Sequence, residues 1–148
     1  MTIAFACDHG GFPLKERLLA VLREAGAEVL DLGTNSPAPV DYPDYAEALG
    51  LAIVGGRAER GVLVCGSGVG ASVAANKLPG IRAAVCHDCF AARQGVEDDD
   101  ANVLCLGARV VGSELAADLV RVFLKARFSQ AERHRRRLEK VRILEEKY

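Results

Sequence analysis

The feature that most constrains this chain is the stretch Gly61-Val-Leu-Val-Cys65-Gly66-Ser67-Gly68-Val69-Gly70, which runs on through Ala71-Ser-Val-Ala-Ala-Asn76-Lys77. Val62 to Val64 is a short apolar, β-branched run, the pattern of a buried strand. Glycines then alternate to Gly70 and an alanine-rich segment follows, so the order is strand, glycine turn, helix N-terminus. Alternating glycines let the backbone turn sharply and aim several N–H groups at one point. The unpaired N–H groups of a helix start add partial positive charge there. The device suits an anion, either a bound phosphate or an oxyanion that forms during a reaction. Lys77 lies at the wrong spacing for a nucleotide-binding P-loop, and Gly66-x-Gly68-x-Gly70 lacks the third-glycine spacing of a dinucleotide fingerprint. Cys65 stands at the mouth of the turn. A thiolate there can take a proton while the N–H groups hold the charge that results; the plainer alternative is a small buried cysteine ending a strand.

The rest of the chain repeats the strand-then-helix order. Ile3 to Cys7 reads as a strand closed by Asp8-His9-Gly10-Gly11, and Pro13 fits the first turn of a helix with Leu14, Leu18, Val21 and Leu22 on its core stripe. Gly26 ends that helix and Glu28 to Leu32 reads as a second strand. A proline-bearing loop, 33–41, leads to a helix from about Pro43 to Val54. After the central unit come a strand at Ile81 to Cys86, a short helix from His87 to about Gly95, a solvated acidic loop at 97–100, and a strand at Val103 to Leu106. A helix from Ser113 to Ala126 follows, and Ser129-Gln-Ala-Glu132 reads as a capping box opening the last helix. Five strands alternating with helices, without hairpin signals or repeats, imply one α/β domain spanning 1–148. The expected architecture is a Rossmann-like three-layer sandwich, a five-stranded parallel sheet with helices on both faces. In such sheets ligands bind at the carboxyl ends of the strands, near the switch in strand order. An order of 2-1-3-4-5 makes strands one and three neighbours and brings Asp8-His9 against Cys65-Gly66-Ser67.

With 148 residues and a net charge of −1, the whole chain offers no electrostatic argument for nucleic acid or membrane binding. No apolar run nears the roughly 20 residues of a bilayer span, and Met1-Thr-Ile-Ala enters a strand directly, so a cytoplasmic protein without a signal peptide is expected. Five cysteines do not suggest a secreted disulfide framework. Cys86-His-Asp-Cys89 is one pair only, short of a zinc tetrahedron and outside a thioredoxin-like context. Glu97-Asp-Asp-Asp100 lacks calcium-loop spacing, and no metal is expected. In the basic run at 133–137, Arg133 and Arg137 are four apart and share a helix face, enough to clamp one phosphate. Arg135 and Arg136 read as solvated, and without interleaved aromatics the run is a weak nucleic-acid motif.

Ala6-Cys7-Asp8-His9-Gly10-Gly11, Asp41-Tyr42-Pro43, Cys65 to Gly70, Ala75-Asn76-Lys77, Asn102-Val103-Leu104, Gly107 to Gly112 and Arg133-His134 together resemble the type B ribose-5-phosphate isomerase family, which also contains galactose-6-phosphate isomerase subunits. The resemblance covers almost the whole chain. It implies a cofactor-free, metal-free aldose–ketose isomerase, a homodimer or a tetramer, with sites at the subunit interface and the last helix packed on a partner. Cys65 then corresponds to the base that moves a proton between C1 and C2, with Ser67 beside the N–H groups of Gly66, Gly68 and Gly70. Asp8 and Tyr42 are implied to contact sugar hydroxyls. His9, Arg133 and Arg137 are implied to bind phosphate, with Arg109 reaching in from the partner and Asn102 among the substrate contacts. The chain departs from the pattern at Asp98, where the family commonly has a ring-opening histidine, and an aspartate also replaces the next asparagine. A carboxyl, with reference pKa near 3.9, donates a proton less readily at neutral pH than an imidazole near 6.5. Acidic neighbours such as Asp99 and Asp100 raise a carboxyl's pKa, so Asp98 stands with Cys65 and Ser67 as a catalytic candidate, for ring opening. Ribose 5-phosphate to ribulose 5-phosphate is the leading reaction. The alternatives are another sugar phosphate, such as an acyclic tetrose phosphate, and a non-catalytic sugar-phosphate sensor.

Overall fold

A computed structural model describes residues 1–148. Five strands, β1 (Thr2–Cys7), β2 (Glu28–Asp31), β3 (Arg60–Cys65), β4 (Ala83–Val85) and β5 (Val103–Gly107), form one sheet, and every pairing in it is parallel. Six helices accompany them: α1 (Lys15–Glu24), α2 (Tyr42–Val54), α3 (Val69–Ala75), α4 (Cys89–Asp99), α5 (Ser113–Lys125) and α6 (Glu132–Lys147).

Parallel strands covered on both faces are apolar throughout and send alternate side chains to opposite layers. Ile3, Phe5, Cys7, Val62, Val64, Leu104 and Leu106 pack with α1, α4 and α5. Ala4, Ala6, Leu63, Cys65, Val103 and Cys105 pack with α2 and α3. The second layer is lined by alanines on both sides (Ala46, Ala52, Ala71, Ala75), so α2 and α3 lie close on the sheet. Cys65, at the last position of β3, thereby emerges between the sheet end and α3.

Several sequence expectations change. The strand order is β2-β1-β3-β5-β4, not 2-1-3-4-5: β5 is buried at every residue and takes the inner place, leaving the three-residue, half-buried β4 at the edge. β1 and β3 remain neighbours, so the switch point stays where expected. Pro13 lies in a short 3₁₀ turn, Phe12–Leu14, ahead of α1. The acidic run is not a loop, because α4 extends through Asp99 and only Asp100 leaves it, in the left-handed region at φ 47°. The capping box does not close. Ser129 Oγ accepts from Ala131 N–H (3.1 Å) and lies 2.6 Å from His134 Nδ1, and α6 begins at Glu132 without a side-chain cap. No helix is long and apolar enough to cross a membrane.

Candidate active site

At the carboxyl ends of β1 and β3, Asp8, Tyr42, Cys65, Gly66, Ser67, Gly70, Arg109 and Val110 line a cleft of about 370 Å³. Each arrives for a local reason. Asp8 follows β1, nearly buried, and its Oδ1 accepts the Gly11 N–H (3.0 Å), which fixes the carboxylate across the turn. Tyr42 opens α2, and its ring lies so near Gly70 that a Cβ there would stand 2.9 Å from ring carbons. Gly68 takes φ +83°, the left-handed conformation that turns the chain from β3 into α3.

That turn sorts the loop's N–H groups into two sets. Gly68 N–H donates to Cys65 Sγ (3.1 Å) and Val69 N–H to Ser67 Oγ (3.2 Å), which hold the two reactive side chains. The N–H groups of Gly66, Ser67 and Gly70 have no protein acceptor. Three donors beside a sulfur nucleophile make a seat for an oxyanion next to a base.

Other cysteines are poor competitors. Burial pushes the Cys7 thiol up to about 11, and burial likewise raises Cys86 and Cys105. Cys89 is exposed at the start of α4, outside the cleft.

His9 Nδ1 accepts the Val40 N–H (3.1 Å), so the neutral ring carries its proton on Nε2, free to donate. The same bond ties down one end of the 33–41 loop. Lys15 ties the other: its buried ammonium reaches Thr34 O (2.8 Å), Asn35 Oδ1 (2.7 Å) and Asp31 (3.1 Å). Sequence reasoning missed Lys15; its only trace was a lysine interrupting the amphipathic pattern of α1. Arg109, expected to reach in from a partner, also has a place within its own chain. It lines the cleft of its own chain, with its side chain over Gly66, where a Cβ would lie 3.6 Å from Arg109 Cδ.

The remaining expected residues stand elsewhere. Asn102 precedes β5, and its register places it about 16 Å of strand away from the Cys65 end. Its side chain accepts from Arg82 N–H (2.7 Å) and donates to Gly80 O (2.9 Å), pinning the turn before β4. Asp98, in the last turn of α4, accepts from Gln94 Nε2 (2.6 Å) and lies 3.5 Å from Nε2 of the buried His134. Arg136 pairs with Glu132, and Arg135 lines a groove between α6 and the turn before β4. Arg133 and Arg137 are exposed and make no side-chain hydrogen bond or ion pair within the chain.

Comparisons with known proteins bear on the family of the whole chain. The family model described as Ribose/Galactose Isomerase matches residues 3–141. Ribose-5-phosphate isomerase B of Escherichia coli is 47% identical over 145 residues, covering 98% of this chain and 97% of that protein. D-erythrulose-4-phosphate isomerase of Pectobacterium atrosepticum is 39% identical over 130 residues, covering 86% and 85%. The solved structure of Clostridium thermocellum ribose-5-phosphate isomerase B superposes with a TM-score of 0.97 at 47% identity, covering 100% of this chain and 99% of that one. With the sheet and these matches in agreement, the chain belongs to the ribose/galactose isomerase family.

Proposed function

We propose that this protein interconverts ribose 5-phosphate and ribulose 5-phosphate through a cis-enediolate, with Cys65 as the base. The observation that carries the reading is the sulfur of Cys65 held by Gly68 N–H beside three unpaired N–H groups. In the open-chain aldose the C1 carbonyl acidifies the C2 hydrogen. Cys65 as thiolate takes that proton, and the electron pair moves through C1 onto O1, giving the enediolate. Gly66, Ser67 and Gly70 N–H groups donate to the developing oxyanion. The thiol then returns the proton to C1 while the O2 hydroxyl proton passes to O1, which leaves the ketose; the Ser67 hydroxyl is the relay at hand. Asp8 and Tyr42 hold sugar hydroxyls, and His9 and Arg109 face the phosphate.

The active unit in this reading is a homodimer. Asp98, Arg133 and Arg137 stand away from the cleft within their own chain, and a second copy can bring them to it. Leu51, Val54, Val69 and Val73 on α2 and α3 are exposed apolar side chains suited to such a contact. Reaction in deuterium oxide tests the chemistry: ribulose 5-phosphate should form with deuterium incorporated at C1. A protein that binds the sugar phosphate but forms no ketose and leaves the C2 hydrogen in place would be a sensor.

A second reading, an isomerase of acyclic tetrose phosphates, is favoured by Asp98, whose carboxylate is engaged by Gln94 and His134. A tetrose 4-phosphate cannot close a furanose, because the oxygen that would close it carries the phosphate. Under this reading Asp98→His raises activity on ribose 5-phosphate more than on a tetrose phosphate; equal changes on both contradict it.

A further inference from the structure

β4 pairs with β5 only as far as Val85 opposite Cys105, with one further bond from Cys86 N–H to Cys105 O (3.3 Å). The chain then leaves the sheet for α4, whereas β5 continues to Gly107. Every second N–H of β5 faces β4, so the Gly107 N–H points where β4 no longer supplies an acceptor. The side chain of His87 fills that place: its Nε2 accepts the Gly107 N–H at 2.9 Å. A backbone N–H can only donate, so Nε2 presents its lone pair and the neutral ring carries its proton on Nδ1.

Gly107 is the point where β5 meets the catalytic loop. A Cβ on Gly107 would stand 2.6 Å from the carbonyl carbon of Ser67 and 2.7 Å from its Cα, so the two backbones are in direct contact. The next two residues pair with the same loop: Ala108 N–H donates to Cys65 O (2.9 Å) and Arg109 N–H to Gly66 O (3.0 Å). The location of Gly107 therefore sets both the seat of Ser67 and the path of Arg109 into the cleft. We propose that His87 is a positioning residue of the isomerase: it extends the edge of the sheet with a side chain and holds Gly107 against the Cys65–Gly70 loop. The inference rests on that loop being the site of reaction.

Substitutions that keep or remove the acceptor test it. Gln at position 87 carries a carbonyl oxygen at about the reach of Nε2; Leu has similar bulk and no acceptor, and Asn has an acceptor that falls short. His87→Leu should lower kcat about ten-fold, the scale of a small misplacement at a reacting centre, and speed hydrogen exchange at the Gly107 amide. His87→Gln should recover kcat to within about two-fold of the parent and restore the amide protection. Equal kcat values in His87→Gln and His87→Leu would overturn the proposal. Should His87→Leu fail to fold, His87→Asn replaces it, with the same ten-fold gap to His87→Gln expected and equality again overturning it. Cys65→Ala, assayed in parallel, separates the two levels. Full turnover in that variant overturns the site and this inference with it; loss of turnover there, with position 87 indifferent to the acceptor, overturns the role of His87 alone.

Discussion

The two ends of the sheet treat their polar side chains differently. At the carboxyl ends of β1 and β3, Asp8, Cys65 and Ser67 are each fixed by a neighbouring backbone N–H and still face an open cleft. At the amino end of β5, Asn102 is consumed by the turn before β4 and Asp98 is engaged by Gln94 and His134, while Arg133, Arg135 and Arg137 of α6 have no side-chain partner in the chain. The first end leaves its fixed side chains open to the cleft, and the second spends its polar groups on itself while exposing arginines of α6. In the proposed homodimer, a phosphorylated substrate would meet the Cys65 loop and Arg109 of one chain together with the α6 arginines of the other.

The largest expected contrast lies among the cysteines. Cys65→Ala should lower turnover by about two to four orders of magnitude, the scale of losing a general base, while sugar phosphate still binds. Cys89→Ser, at an exposed position outside the cleft, should leave turnover unchanged. In a Cys89→Ser background, thiol alkylation should inactivate the enzyme and substrate should protect it. Near-normal turnover in Cys65→Ala would break the contrast.

The second contrast lies within α6. Arg133→Ala or Arg137→Ala should weaken substrate binding by about 1.5–3 kcal/mol, the value of a lost charged hydrogen bond, measured as a change in dissociation constant. Arg135→Ala and Arg136→Ala should have little effect. Equal losses at all four positions would replace the clamp with a diffuse basic patch.

Much of the first end was legible before the fold was seen. Short continuous apolar runs placed β1 and β3, and glycine spacing placed the turn, because both are local properties of the chain. The order of β4 and β5 was not legible; it depends on which strand can be buried on both sides, and the short β4, with alanines at its first two positions, buries less than Val103 to Leu106. The acidic run read as solvated loop because charge density was weighed above helix continuation, yet in α4 Glu97 pairs with Arg93 and Asp98 with Gln94, each four residues back. Asn102 matched a family motif, but a motif records that a residue type is required, not whether it binds a ligand or a turn. Whether Arg109 serves its own cleft, which it lines, or a partner's was not legible for a similar reason, since nothing in a sequence separates contacts within a chain from those across an interface.

Two smaller effects sharpen the division. Asn102→Ala removes two hydrogen bonds at the turn before β4 and should cost about 1–2 kcal/mol of stability, read from the denaturant midpoint, with little change in KM. A large rise in KM at unchanged stability would move Asn102 into the substrate site. The other concerns Cys7, which ends β1 as Cys65 ends β3 but points into the α1–α5 layer. Burial raises its thiol pKa from 9.0 to about 11. The folded protein keeps a proton that the unfolded chain releases, so this contribution is complete below pH 9.0 and is lost as pH rises through about 11. At pH 10 the loss should be about 1 kcal/mol, and Cys7→Ala should show a correspondingly smaller drop in urea midpoint between pH 8 and 10. An identical drop in both proteins would show that Cys7 does not hold its proton.

The central claim is that the reactive loop of one chain works with the cations of another. It is tested most directly by mixing two inactive proteins, Cys65→Ala and the double variant Arg133→Ala/Arg137→Ala, under conditions that exchange subunits. In a two-fold symmetric hybrid, one site inherits both defects and the other inherits neither, so random mixing should restore about a quarter of the parental activity. Activity that stays at the level of the separate variants, with hybrid dimers demonstrated by mass, would mean that each chain completes its own site and would contradict the account.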